Sequence, residues 1–157
     1  MREILFRGKR VDNGKWVEGY YAKAKDYLSE DEMHVIFPLD LTLYPHSEFS
    51  SYERIHPETL GRLVRYPDYD SDHTGYRFFQ GDIIGVYQSR HADIAYKEPD
   101  GIAIVVDEHC VTENGLGRWF PQDTTQVKVI GNVHDNPELV GKKAADLYKF
   151  YHCLEWR

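Results

Sequence analysis

YRFFQGDIIGVY, Tyr76 to Tyr87, reads as one strand arriving, a turn at Gln80-Gly81-Asp82, and a second strand leaving. Ile83, Ile84, Val86 and Tyr87 are β-branched or aromatic and suit a pleated, half-buried surface, while Gly81 can take the positive φ of a tight turn. Gly85 interrupts the second run. A glycine inside a strand pattern marks a bulge or a close approach of another backbone, the means by which small barrels bend strands round a corner. The stretch therefore predicts a small closed or partly closed sheet in a mainly β chain.

Outward from this centre the chain alternates strand and turn. On the N-terminal side, Pro57 fixes a turn in IHPETLG and pushes His56 towards extended geometry. Leu60 to Tyr66 follows as a strand, and the turn formers of DYDSDHTG, Asp68 to Gly75, join it to Tyr76. On the C-terminal side, Ile102 to Asp107 reads as a buried strand, Asn114-Gly115 and Gly117 as a turn, and Val127, Val129 and Val133 as one face of a last strand. Asn136-Pro137 is a helix start signal that Gly141 splits, and Val140, Ala144, Leu147, Tyr151 and Leu154 form an amphipathic stripe beyond it.

At the start, Ile4-Leu5-Phe6 is a strand and Asp12-Asn13-Gly14 a hairpin turn returning along Lys15 to Tyr21, a strand with both faces covered. Ala22 to Glu32 is charged and without apolar period, which predicts a loop or short helix. Val35-Ile36-Phe37 is a brief strand, and Asp40 to Ser51 is irregular.

The chain has 157 residues, 41% hydrophobic and 29% charged, enough for one real core and outside the signature of disorder. Its formal charge of -7 disfavours non-specific attraction to phosphate backbones or anionic membranes. The 12 tyrosines fit a β-rich core first and an interface second. Cys110 and Cys153 are too few for a disulfide framework, so a cytoplasmic protein is expected, and no stretch reads as a signal peptide or a membrane span.

Four motifs in order, REILFRG at the start, IHPETLGRL at Ile55 to Leu63, FFQGDII at Phe78 to Ile84 and VIGNVHDNPEL at Val129 to Leu139, resemble the YopX-like family of phage and prophage proteins. Arg62, Gln80, the DSDHTG turn and the longer tail after Gly141 depart from that family's pattern. The resemblance implies an SH3-like β-barrel in the second half and a β extension before it; joined to the residue reading, this gives a barrel with a C-terminal helix over residues 54–157 and an N-terminal β-hairpin extension over 1–53. It also implies self-association in a bacterial host cell, with no biochemical activity to carry over. The residues matching the motifs are Pro57, Glu58, Thr59, Gly61, Gly81, Asp82, Ile83, Gly131, Asn132, Asn136 and Pro137, all with structural roles.

No residue set demands chemistry. Asp68, Asp70 and Asp72 alternate as a calcium loop begins, but His73 and Phe79 stand where that loop needs Gly and a bidentate Glu. His109-Cys110 and His152-Cys153 would hold zinc only if the tail folds back, and adjacent strand residues point to opposite faces. Asp82 with His109, His134 or Asp135 is the best hydrolase constellation, yet Asp82 is more simply a turn residue bonding nearby amides. No catalytic residue, cofactor or metal is expected. The leading expectation is a non-enzymatic accessory protein acting by protein-protein contact as a homo-oligomer, on an unknown phage or host protein, with Leu147, Tyr151 and Leu154 as the contact. The alternatives are a nucleic-acid-binding small barrel using Arg54, Arg62, Arg65 and Arg77, which the net charge opposes, and a metal-dependent hydrolase.

Overall fold

The computed structural model describes residues 5–38, 52–66, 76–88, 98–107, 109–118 and 126–155. The chain divides into two compact units, Met1–Leu63 and Val64–Arg157. The described strands form two antiparallel sheets and do not close into a barrel, and one helix stands at the C-terminal end.

In the first unit, β1 (Phe6–Lys9), β2 (Trp16–Lys25), β3 (Glu32–Pro38), β4 (Glu53–Arg54) and the start of β5 (Gly61–Tyr66) pair in the order β4-β3-β2-β1-β5. The expected Asp12-Asn13-Gly14 hairpin is present: the Asn13 side chain accepts from the Lys15 amide at 2.9 Å, and Lys9 pairs with Trp16. Of Ala22 to Glu32, expected as a loop or short helix, only Asp26 to Asp31 is a turn, and no helix forms. β2 runs on to Lys25, and β3 returns from Glu32 in unbroken register. This end of the ladder is exposed, so its side chains need no apolar period, and an ion pair of 3.1 Å between Lys23 and Glu32 lies across it. Glu18 and Tyr20 are exposed, so one face of β2 stands open where cover on both was expected.

In the second unit, β6 (Tyr76–Phe79) neighbours β5, while β7 (Asp82–Tyr87), β8 (Gly101–Val105), β9 (His109–Thr112), β10 (Gly115–Arg118) and β11 (Gln126–Asn132) pair in the order β10-β9-β8-β7-β11. The strands either side of Gln80-Gly81 therefore belong to different sheets, and the turn is a corner, not a hairpin. Ile83, Ile104 and Val111 face one core cluster with Val106, while Ile84, Val105 and Cys110 face another with Val64 and Phe78. A sheet covered on both faces explains why DIIGVY and GIAIV read as continuous apolar runs.

The helix α1 (Lys142–Glu155) covers the Ile83, Ile104 and Val111 face. Ala144 and Tyr148 are its most buried residues, and Val140, Leu147 and Tyr151 pack partly against the same cluster. Tyr148, not one of the expected stripe residues, is the largest side chain that α1 buries. The side chains of Cys153 and Leu154 lie outside the described residues, as do Ile4, Asp40 to Ser51, Asp68 to Gly75, Trp119-Phe120 and the Arg65 side chain.

Gly85 marks a close approach and not a bulge, since a Cβ there would lie 3.0 Å from Pro99 Cβ. The bulge is on the facing strand, where Val129 pairs with Ile84 and Gly131 with Ile83, leaving Ile130 extra. That extra residue breaks the expected single face: Val127 enters one cluster, Val133 packs against the other, and Val129 is exposed.

Gly81 sits at φ +90, and a Cβ there would lie 2.9 Å from the Tyr148 hydroxyl oxygen. We expect Gly81→Ala to lower stability by about 1–3 kcal/mol through backbone strain and overpacking. The loss should be smaller in a Tyr148→Phe background, which removes the nearest atom but leaves the φ penalty. Urea midpoints of the four proteins in this cycle test both effects.

Candidate functional site

The residues that match the family motifs gather into two backbone locks. In the first unit, Pro57–Thr59 is a single 3-10 turn, and Pro57 holds His56 extended at φ -73, ψ 115. The Thr59 hydroxyl accepts from the Lys9 amide at 2.8 Å and donates to the His56 carbonyl at 2.6 Å. The His56 amide in turn donates to the Lys9 carbonyl at 2.9 Å. Both backbone polar groups of Lys9 are thereby satisfied by the PET turn, which fixes it against β1. Glu58 is exposed and sits 3.7 Å from His56.

The second lock centres on Gly81. Its amide donates to the Val105 carbonyl at 2.8 Å, and its carbonyl accepts from the Val133 amide at 2.9 Å. Asp82 is buried, and its carboxylate accepts from the Phe79 amide at 2.8 Å, closing the corner. Opposite Asp82 stands Asn132, whose side-chain oxygen accepts from the amides of His134 at 3.0 Å and Asp135 at 2.9 Å. The Asn136 side chain accepts from the Asn132 amide at 3.2 Å, and a Cβ on Gly131 would meet that oxygen at 2.6 Å. Asn136 therefore does not cap the following turn with its side chain as expected; its carbonyl accepts from Leu139 instead.

The start of α1 depends on a residue the sequence reading passed over. Glu113, in the turn between β9 and β10, accepts from the Ala144 amide at 3.2 Å. The absence of a side chain at Gly141 leaves room for that carboxylate. A carboxylate at a helix N-terminus satisfies a free amide and complements the macrodipole. Its partner lies 31 residues away, beyond the reach of any local capping signal.

Of the residues weighed as zinc ligands, the described His109, Cys110 and His152 are not grouped. His109 bonds Asp107 in its own turn at 3.1 Å, and the Cys110 thiol faces the Ile84 and Val105 cluster. His152 stacks on Tyr148 over α1, on the opposite face of the sheet. Burial pushes the Cys110 thiol up to about 11, away from the thiolate a metal or a nucleophile requires. Among the described residues no three of His, Cys, Asp and Glu are grouped to hold a metal ion. His134 and Asp135 belong to the Asn132 turn, while Asp82 belongs to the Gly81 corner.

On β1 and β2, Arg7 lies 4.6 Å and Lys9 5.5 Å from the Trp16 ring centroid. Tyr20 pairs across the sheet with Phe37, whose ring meets Tyr52 edge-on at 6.3 Å. Arg54 is exposed beside them, opposite Val35, and reaches Asp26 at 3.8 Å. At the turn between β2 and β3, Tyr27 is 98% exposed and Leu28 93%. Of the other expected basic positions, Arg62 is half-buried and Arg77 exposed. No described helix is long and apolar enough to cross a membrane.

A family model described as YopX protein matches residues 5–141, ending one residue before α1 begins. No curated protein and no solved structure matches the chain.

Thr59→Ala should lower stability by about 1–3 kcal/mol by leaving the Lys9 amide unsatisfied, and Thr59→Ser should recover most of it. Denaturant unfolding reads both. Cys110 gives a pH signature of known sign. Its folded value near 11 exceeds the ordinary 9.0, so between them the folded chain keeps a proton that the unfolded chain releases, and stability falls as pH rises through that window. Wild type should lose urea resistance faster than Cys110→Ala over this range; parallel slopes would refute the assignment.

Proposed function

The chain belongs to the YopX family, and on that premise we propose that it is a non-enzymatic accessory protein of a phage or prophage, acting in the host cytoplasm through protein-protein contacts as a homo-oligomer. The observation that carries this reading is the exposure of large apolar side chains on hydrogen-bonded backbone: Tyr20 and Tyr52 on the first sheet, Tyr27 and Leu28 at a hairpin tip, and Phe150 on α1. Single exposed apolar residues are ordinary, but two adjacent ones almost wholly in water at an ordered turn suit an interface. The motif residues support the same reading, because Thr59, Asp82, Asn132 and Asn136 use their polar atoms on backbone groups of their own unit.

The second unit is read as a variant of an SH3-like small barrel. A change of sheet at Gly81 and a bulge at Ile130 are the devices by which such barrels turn their strands. The nucleic-acid alternative has one observation in its favour, the cations at the Trp16 ring. The metal-dependent hydrolase has none and is not taken further.

Light scattering of the full chain is expected to give a defined multiple of 18.4 kDa. A species of one chain mass at every concentration would remove the oligomer from this reading. In parallel, gel-shift titration at physiological salt is expected to show no saturable DNA or RNA binding, and tight, steeply salt-dependent binding would favour the alternative.

A further inference from the structure

The tip of the β2–β3 hairpin is an apolar knob closed by its own hydrogen bonds. Its backbone closes on itself, with the Asp26 amide donating to the Asp31 carbonyl at 2.8 Å and the Glu30 amide to the Asp26 carbonyl at 2.9 Å. The Asp26 side chain accepts from the Leu28 amide at 2.9 Å, and Ser29 Oγ from the Asp31 amide at 3.3 Å. Glu30 holds φ 61, a left-handed conformation that glycine or asparagine would adopt more readily. A turn needed only to reverse the chain would favour those small residues. Here Tyr27 and Leu28 stand almost wholly in water instead, in a turn that also carries the acidic residues Asp26, Glu30 and Asp31.

An apolar knob that also carries acidic residues fits an apolar surface with a cation beside it. This chain, acidic overall, has such a surface on its first sheet: Tyr20, Phe37 and Tyr52 are contiguous, with the exposed cation of Arg54 beside them, while Glu18 on the same face separates them from the half-buried cations at Trp16. Arg54 already pairs with Asp26 within the chain, so the two charge types are complementary in kind. We infer that the Tyr27-Leu28 tip of one copy docks on the Tyr20-Phe37-Tyr52 face of a second copy. This inference rests on the homo-oligomer reading and specifies its contact. A contact between two different patches makes every copy both donor and acceptor.

The test uses two full-length variants at exposed positions, Tyr27→Ser with Leu28→Ser for the tip and Tyr20→Ser with Tyr52→Ser for the face, each checked by circular dichroism for an unchanged β signal. Each alone is expected to scatter as a single 18.4 kDa chain, and an equimolar mixture to recover a species of twice that mass, since each supplies the patch the other lacks. Glu30→Lys with Asp31→Lys should weaken wild-type assembly at least tenfold in concentration midpoint. If wild type assembles and the tip variant assembles equally, this contact is wrong while the oligomer stands. If both variants are single chains but their mixture does not pair, the tip and face are not partners. If wild type itself is a single chain, the oligomer reading fails first.

Discussion

A single left-handed turn governs the second unit. At Gly81 the chain leaves β6 and enters β7, two strands that belong to different sheets, and only a residue without a side chain fits both the φ of +90 and the hydroxyl of Tyr148 beside it. The same residue's amide and carbonyl tie the strand β8 and the exit from β11 to the corner. Asp82, buried next to it, is tolerable in an apolar interior because its carboxylate accepts from the Phe79 amide. Packing on both faces of the second sheet follows from the corner, because Ile83 and Ile84 leave it pointing in opposite directions.

The polar residues of the family motifs work in the same way at smaller scale. Thr59 satisfies Lys9, Asn132 satisfies two amides of its turn, and Asn136 satisfies Asn132. These are short side chains with acceptor oxygens close to the backbone, suited to replacing a missing ladder bond where the chain bends. In each of these bonds a side-chain oxygen serves a backbone group of its own unit.

Much of this was readable from sequence wherever the cause is local. Asn13-Gly14 and Gln80-Gly81 gave their turns because φ is a property of the residue, and Pro57 gave an extended His56 because the clash lies within one peptide unit. The readings failed where a distant partner decides. Lys23 and Lys25 looked like loop because their strand is stabilised by pairing with β3 and not by burial. The Glu113 cap, the Ile130 bulge and the burial of Tyr148 by α1 each depend on residues tens of positions away.

The bulge on β11 also bears on how copies of this chain avoid one another. β11 is the last strand in the order of its sheet, and a regular edge of that kind offers a row of free amides and carbonyls to any passing strand. The extra residue at Ile130 throws those groups out of step, and Lys128 sets an exposed cation on the same edge. Growth by adding strand to strand is thus discouraged at the rim of the second sheet.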